Sequence, residues 1–403
     1  MNRRSRQRVL LALTLGAVWL VACPPPALAR AARPGHTASA LVVTTPHAQA
    51  KAIRYWSGVG GSPSSGDASP WSPESLPKGA QAYGGSVNDS YITCTTGSHC
   101  WLTGAFDGAP AVFSTVDGGK SWQSHLLPTR AKEQPSGDIS CLGTARCWAS
   151  GFAINSKGAT VSVIFATTDG GRRWTIEDLP YPDGETWSIS CATRLDCMAY
   201  GQGLFTTTDG GRIWRDIPIV FPGPFSTQGA EGQQAALSCV DARHCWLVGG
   251  ATLHGGVSPA VEATADDGVH WSLEVAPVPP STWEFGKAIS CASASVCSYI
   301  SDSIRRQEIS FETTSNGGRT WRASTSSAIA EGGSGISCPT SSFCAVADLS
   351  HLSFTTNGGV TWEQGPVEES FAISFISCRS QSACWATGGP GSGPDAPPVV
   401  ERT

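Results

Sequence analysis

The cysteines constrain the fold of this chain more than any other feature, because fourteen of the fifteen form seven pairs with one spacing. Each pair reads Cys-x5-Cys, and successive first cysteines lie 47, 50, 48, 52, 47 and 40 residues apart. A pattern that recurs at this interval indicates a tandem repeat of one structural unit. We expect one local disulfide in each unit, with these partners: Cys94 and Cys100, Cys141 and Cys147, Cys191 and Cys197, Cys239 and Cys245, Cys291 and Cys297, Cys338 and Cys344, and Cys378 and Cys384.

The repeated unit reads as one four-stranded sheet, whose strands we label a to d. In the second repeat, strand a ends at Cys141, strand b begins at Cys147, strand c covers 161–166 and strand d follows Trp174. Short β-branched and aromatic runs bounded by Gly, Asp, Asn and Ser are typical of strands and hairpins. The sequence therefore predicts an all-β fold in which each bridge joins strands a and b.

A second motif, Thr-x-Asp/Asn-x-Gly-x-x-Trp, follows strand c in six repeats. This is the Asp-box, in which the Asp or Asn accepts backbone N–H groups inside its own turn and the Trp packs between sheets. Two repeats carry Asn, which can accept the same hydrogen bonds in a turn but cannot act as a catalytic acid. We expect a structural role at all six positions: Asp117, Asp169, Asp209, Asp266, Asn316 and Asn357.

The last repeat lacks strand d, and a matching segment lies near the N-terminus. The tail Pro397–Thr403 reads as strand c, and 71–77 resembles the strand d segments that begin at Trp122 and Trp174. An N-terminal strand that completes the last sheet would remove exposed edges. Residues 71–403 number 333, or about 48 per sheet. We predict a seven-bladed β-propeller over 71–403, with its last blade closed by the N-terminal strand.

The first 70 residues predict export and a linker. Residues 1–29 read as a signal peptide, with four arginines, an apolar core over 9–22 and a small-x-small cleavage site at 27–29. Residues 20–23 resemble a bacterial lipobox that would acylate Cys23, so a secreted protein and a cell-surface lipoprotein both stay open. Residues 30–70, rich in Ala, Pro, Gly and Ser, predict a linker.

Charge and composition exclude several functions. The formal net charge of −5 falls to −9 without residues 1–29, which disfavours binding to nucleic acid. The hydrophobic fraction of 40% excludes both a multi-pass membrane protein and a disordered chain. No histidine recurs with the cysteines, so a zinc site is disfavoured. We expect no metal, no cofactor, and a monomer whose only membrane contact would be a lipid on Cys23.

The unit Cys-Trp-x-x-Gly, followed by Phe-x-Thr-x-Asp-Gly-Gly-x-x-Trp, resembles the BNR/Asp-box propellers, and most of all the photosystem II stability/assembly factor type. Cys-Trp replaces the Gly-Trp of that type at Trp101, Trp148, Trp246 and Trp385. The resemblance implies a non-catalytic assembly or scaffold propeller.

Sialidases also carry Asp-boxes, so the alternative is a glycoside hydrolase of the exo-α-sialidase type. Their Phe/Tyr-Arg-Ile-Pro signature is absent here. Arg172, Arg212 and Arg319 lie in Asp-box turns, on the wrong loops for a substrate-binding arginine triad. We therefore expect binding without catalysis.

The connectors between strand d and the next strand a are the candidate binding residues. Each connector contains an acid, and several contain an aromatic residue, a combination that suits sugars or cationic peptides. The alternative is that these are ordinary solvated loop residues. We predict a binding rim for a glycan or an extended peptide, formed by Asp89, Asp138, Glu185, Trp187, Glu231, Trp283, Glu284, Glu331 and Glu369.

Overall fold

The fold is built from short β-strands, seen in a computed structural model of the chain. The structure describes residues 53–54, 72–73, 76–81, 90–128, 134–154, 157–183, 186–218, 225–226, 235–253, 256–275, 284–303, 308–326, 329, 335–348, 351–365, 371–390 and 399–402. The predicted signal peptide, the lipobox and most of the predicted linker lie outside these residues. Within them, no helix is long and apolar enough to cross a bilayer.

Within the described residues, the regular elements are all β-strands. The first fifteen are β1 (Ile53–Arg54), β2 (Ser72–Pro73), β3 (Ala80–Gln81), β4 (Ile92–Cys94), β5 (Cys100–Phe106), β6 (Ala109–Thr115), β7 (Gln123–Leu126), β8 (Gln134–Leu142), β9 (Arg146–Ile154), β10 (Thr160–Thr167), β11 (Thr175–Asp183), β12 (Thr186–Cys191), β13 (Cys197–Gly201), β14 (Leu204–Thr207) and β15 (Arg215–Ile217). The others are β16 (Phe225–Ser226), β17 (Ala236–Cys239), β18 (Cys245–Leu253), β19 (Gly256–Thr264), β20 (Ser272–Val275), β21 (Glu284–Cys291), β22 (Cys297–Ser303), β23 (Glu308–Thr314), β24 (Arg322–Thr325), β25 (Gly335–Ser337), β26 (Cys344–Asp348), β27 (His351–Thr355), β28 (Glu363–Gly365), β29 (Phe371–Ser380), β30 (Ala383–Pro390) and β31 (Val399–Arg402).

These strands form an all-β propeller, as predicted. Six sheets consist of consecutive strands, and we call them blades 1 to 6: β3–β7, β8–β11, β12–β15, β16–β20, β21–β24 and β25–β28. Sheet 7 combines β29, β30 and β31 with β1 and β2 from near the other end of the chain. Neighbouring strands within the blades are antiparallel, which matches the a-to-d order read from the sequence.

All seven predicted disulfides are present, and each joins strands a and b of one sheet. The two cysteines of a pair lie directly opposite each other on antiparallel strands, for example Cys191 and Cys197, with their Cα atoms 4.0 Å apart. The bridge therefore closes the a–b hairpin at its loop. Many disulfides in one chain fit an oxidising compartment outside the cytoplasm.

The core lies in the layers between neighbouring sheets, which we call seams and number by the two sheets that they join. Each buried cluster mixes side chains from two successive sheets. In seam 1/2 the ring of Trp101, from a Cys-Trp pair, meets the Asp-box ring of Trp174 edge-on at 6.3 Å. Trp385 of sheet 7 and Trp122 of blade 1 share a cluster in the same way. The two tryptophan motifs of the sequence thus meet across the seams.

A ladder of serine hydroxyls joins the innermost strands. The serine before the first cysteine of one sheet accepts a hydrogen bond from the first cysteine N–H of the next sheet. Six such bonds, of 2.9–3.2 Å, occur among the described residues: Ser140 to Cys191, Ser190 to Cys239, Ser238 to Cys291, Ser290 to Cys338, Ser337 to Cys378 and Ser377 to Cys94. The last of these bonds joins sheet 7 to blade 1.

The two chain ends meet in sheet 7. Strand β2 pairs antiparallel with β31, with Ser72 opposite Arg402. The 71–77 segment therefore supplies a strand to the last sheet, as predicted, although the strand itself is only two residues long. Strand β1 also pairs with β31, in parallel, and it comes from the segment that the sequence predicts as linker. The β-favouring run of Ile53 and the residues after it accounts for this addition.

The second glycine of two Asp-boxes lies in close contact with a glutamate side chain of the preceding blade. Gly211 has φ 88°, and a Cβ atom there would lie 2.0 Å from Glu177 Oε2. Gly318 has φ 93°, and a Cβ atom there would lie 1.6 Å from Glu274 Oε2. Both the backbone conformation and the space therefore require glycine.

We expect Gly211→Ala to lower the free energy of unfolding by about 2–4 kcal/mol, because the methyl group forces the Glu177 carboxylate out of its position in addition to straining the backbone. The matched control is Gly158→Ala, which has φ 80° but open space around its Cβ position. The control should cost only about 1 kcal/mol. Equal losses in urea denaturation would contradict the close fit across the seam.

Candidate functional site

The antiparallel order gives the propeller two different ends. The a–b disulfide loops and the c–d Asp-box turns lie at one end, and the b–c loops and d–a connectors lie at the other, which we call the connector end. Backbone hydrogen bonds tie the first two loop types together. The N–H of Gly118 donates to Ser98 O at 3.0 Å, and the N–H of Gly210 donates to Leu195 O at 2.9 Å. The predicted binding rim belongs to the connector end.

Most of the predicted rim lies outside the described residues, and for these the rim stays a prediction. They are Asp89, Glu185, Glu231, Trp283, Glu331 and Glu369. Glu284 is described only through its backbone, as the first residue of β21.

The side chain of Asp138 forms hydrogen bonds within the propeller frame. Its carboxylate accepts a hydrogen bond from its neighbour Ile139 N–H at 2.8 Å and from Ser188 Oγ, across seam 2/3, at 3.3 Å. Burial raises the pKa of Asp138 to about 7, and the hydrogen bonds from Ile139, Ile189 and Ser188 oppose that rise. This side chain ties blade 2 to blade 3, a role that the sequence did not reveal.

Trp187 does not form an exposed platform. Its ring is buried, 8% exposed, in the cluster with Leu204 and Leu237, and it lies 6.0 Å from the Tyr200 ring. The register of β12 shifts between Thr186 and Ser188, so Trp187 is an extra residue that interrupts the alternation of the strand. This bulge explains why a residue that we assigned to the rim packs in the core.

The structure adds one ion pair near the connector end that sequence reasoning missed. Lys287 Nζ lies 2.5 Å from Asp302 Oδ2, and both side chains are 18% exposed. Lys287 is itself the extra residue at a register shift in strand a, between Gly286 and Ala288. The signal available in the sequence was the lysine in the middle of strand a, Glu284–Cys291.

The six Asp-boxes share one hydrogen-bond pattern. The Thr hydroxyl donates to the Asp or Asn side chain at 2.9–3.0 Å and accepts the N–H of the motif glycine, two residues after the Asp or Asn, at 2.8–3.0 Å. The Asp or Asn also accepts the N–H four residues later at 2.9–3.0 Å. These bonds leave the side chain engaged in its own turn. The bonds from Ser121 are the main reason that the pKa of Asp117 falls to about 2.

We expect Asn316→Asp to change the melting temperature by less than about 2 °C, because Asp117 already makes the same set of bonds in blade 1. Asn316→Ala should cost about 1–2 kcal/mol, since it removes the acceptor of both Thr314 Oγ1 and the Thr320 N–H. Thermal denaturation of both variants checks this. A larger loss in Asn316→Asp than in Asn316→Ala would contradict the structural role.

The described residues contain no group of three or more potential metal ligands. The arginines of the Asp-boxes, among them Arg172, Arg212 and Arg319, are exposed at the end opposite the connectors. They therefore do not face the predicted rim.

Comparison with solved structures finds propellers of the same kind. The chain is similar to a structure described as YCF48 bound to D1 peptide, with 17% identity, 83% of this chain and 97% of that chain covered, and a TM-score of 0.55. It is also similar to YCF48 from Cyanidioschyzon merolae, with 16% identity, coverage of 83% and 98%, and a TM-score of 0.53. The chain shares their propeller fold. The resemblance to the photosystem II assembly factor type is thus confirmed at the level of fold.

More distant matches include glycoside hydrolases. The NanB sialidase of Streptococcus pneumoniae matches with 9% identity, coverage of 82% of this chain and 70% of that chain, and a TM-score of 0.42. No protein-family model matches the chain, and no curated protein does.

Proposed function

We propose that this protein is an exported, non-catalytic binding propeller that recognises a protein segment or a glycan through its connector end. The observation that carries the proposal is that the acidic side chains of the described Asp-boxes form hydrogen bonds within the propeller itself. The Asp-box carboxylates accept backbone N–H groups in their own turns, which leaves them unsuited to proton transfer. Seven disulfides also cross-link the a–b hairpins of the frame that carries the connectors.

A peptide is the partner class with additional support. The similar YCF48 structure holds a D1 peptide. The acids of the connector end would favour a peptide with basic side chains over an acidic one. A glycan stays the second ligand class, because carboxylates beside aromatic rings also suit sugars.

The ring is proposed to contain seven blades, with sheet 7 as the last. Three contacts between sheet 7 and blade 1 support this count: the Ser377 bond to Cys94 at 3.0 Å, the stack of Tyr91 on Phe375 at 3.9 Å, and the cluster of Trp385 with Trp122. Export is proposed from the N-terminal sequence, with either a free secreted form or a lipid on Cys23.

The alternative is a glycoside hydrolase of the exo-α-sialidase type, which needs two cooperating carboxyl groups. One observation favours it: the pKa of Asp138, raised to about 7, lies near that of a general acid.

The test uses the protein that begins at residue 30. It is screened on arrays of basic, neutral and acidic peptides and of glycans, and then with chromogenic sialosides and other glycosides. Saturable binding without product release supports the proposal, and Glu284→Ala should weaken that binding at least about tenfold. Glu363→Ala, at an exposed site outside the rim, is the matched control. Turnover that Asp138→Asn abolishes would favour the hydrolase instead.

A further inference from the structure

Carboxyl groups that are buried or half-buried between blades are distributed unevenly around the ring. Among the described residues, three consecutive seams contain two such groups each. They are Asp138 and Glu177 in seam 2/3, Glu262 and Asp267 in seam 3/4, and Glu274 and Glu312 in seam 4/5.

In seam 2/3, Glu177 of blade 2 reaches under the Asp-box of blade 3. Its Oε2 accepts the indole N–H of Trp214 at 2.9 Å, and it fills the space left by Gly211. Burial raises the pKa of Glu177 to about 8, and the charge of Asp209 raises it further. Asp138 lies in the same seam, nearer the central axis.

In seam 3/4, Glu262 is fully buried, and neither of its oxygens has a hydrogen-bond partner. Side chains alternate along a strand, and Val261 and Ala263 pack in seam 4/5, so Glu262 faces blade 3. Burial raises the pKa of Glu262 to about 8, and the nearby charge of Glu274 contributes.

Asp267 of blade 4 crosses the same seam. It accepts a hydrogen bond from Thr206 Oγ1 of blade 3 at 3.1 Å. Burial raises its pKa, the acids Asp196 and Asp266 act in the same direction, and the cation Arg215 opposes them. The charged surroundings of this group are therefore mainly acidic.

Seam 4/5 repeats the arrangement of seam 2/3. Glu274 Oε2 accepts the indole N–H of Trp321 at 3.0 Å, and burial raises the pKa of Glu274 to about 7. Glu312, fully buried, accepts a hydrogen bond from Ser301 Oγ at 3.2 Å.

In the described part of the chain, aromatic side chains or a histidine occupy three of the other seams. Phe311 meets Trp362 at 5.0 Å in seam 5/6, and aromatic side chains also fill seam 7/1. Seam 1/2 contains His125, which lies 2.7 Å from Ser114 Oγ and whose pKa is lowered by burial. This histidine gives seam 1/2 the opposite pH response.

We propose that blades 2 to 5 form a pH-sensitive half of the ring, whose three carboxyl-lined seams are tightest in mild acid and loosen as the pH rises from mild acid through neutrality. An uncharged carboxyl group can stay in a seam, whereas an ionised one without a cation beside it favours separation of the blades.

The direction follows from proton linkage. A carboxyl group whose pKa is higher in the folded than in the unfolded state does not destabilise the folded state at pH values below its unfolded pKa. As the pH rises from there to the folded pKa, the equilibrium constant for opening grows about tenfold per pH unit for each group. For Glu177, Glu262 and Glu274 this window extends from about pH 4.5 to about pH 7 or 8.

The test is amide hydrogen exchange of the wild-type protein at about pH 6 and about pH 8, compared as protection factors so that the intrinsic pH effect cancels. We expect protection in β11, β15 and β20 to fall at least about tenfold, and protection in β27 and β30 to change less than about twofold. A uniform fall around the ring, or none in blades 2 to 5, would overturn the proposal.

The variants test the groups themselves. Glu177→Gln and Glu274→Gln keep an acceptor for the indole N–H but cannot ionise, and each should reduce the pH dependence of its own seam, which still contains a second carboxyl group. Glu363→Gln changes an exposed carboxylate and should leave the pH profile unchanged. An unaltered profile in the first two variants would exclude these groups as the cause. The wild-type measurement decides the proposal if a variant fails to fold.

Discussion

Reduction of the seven disulfides is expected to unfold the protein at room temperature. Each bridge closes a loop with a sequence separation of only 6, which constrains the unfolded chain by about 2 kcal/mol. Seven bridges together contribute on the order of 15 kcal/mol, as much as the whole stability of an ordinary domain. The β-structure, followed by circular dichroism, should therefore be lost once all fourteen thiols are free.

The measurement is made after reduction in denaturant and removal of the denaturant, with alkylation and mass spectrometry to count the thiols. The control is Cys378→Ser with Cys384→Ser, which removes one bridge and should cost only about 2 kcal/mol. A fully reduced protein that keeps its melting temperature would show that the bridges are not needed for stability.

Removal of the N-terminal strand is the second change with a large expected effect. A protein that begins at residue 78 lacks β1 and β2 and leaves one side of β31 unpaired. It also lacks Leu76, which is buried between sheet 7 and blade 1. We expect a loss of at least about 3 kcal/mol in the free energy of unfolding, because a large apolar side chain and a sheet edge are both lost.

The exposed edge of β31 should also promote association of chains. Light scattering and thermal denaturation measure both effects. A protein that begins at residue 52 keeps both strands and is the matched control. If the shorter protein melts at the same temperature as this control, the strand does not close the sheet.

The blades could be predicted from the sequence because their signals are local. The Cys-x5-Cys spacing fixes a hairpin, and the Asp-box fixes the next turn through bonds within five residues, as from Thr115 to Gly119. The closing strand could be found because a Trp-led segment was missing from one end and present at the other.

The contacts across seams could not be predicted in the same way, because they depend on register between blades. Glu262 stands at the Asp-box offset that Phe113, Phe165 and Phe205 occupy in three other blades, yet its burial follows only from the packing of blade 3 against blade 4. Trp187 was assigned to the rim because it is an aromatic residue beside an acid in a connector. The bulge in β12, which breaks the two-residue period of the strand, places its ring in the core instead.

Cross-linking of the two chain ends tests the closed ring most directly. Ser72 and Arg402 lie opposite each other on β2 and β31, so cysteines placed by Ser72→Cys and Arg402→Cys should form an additional disulfide in the monomer. Peptide mapping without reduction should find one linked peptide that joins residues 72 and 402. Two free thiols at these positions, or a link formed only between separate chains, would contradict a ring closed by both ends of the chain.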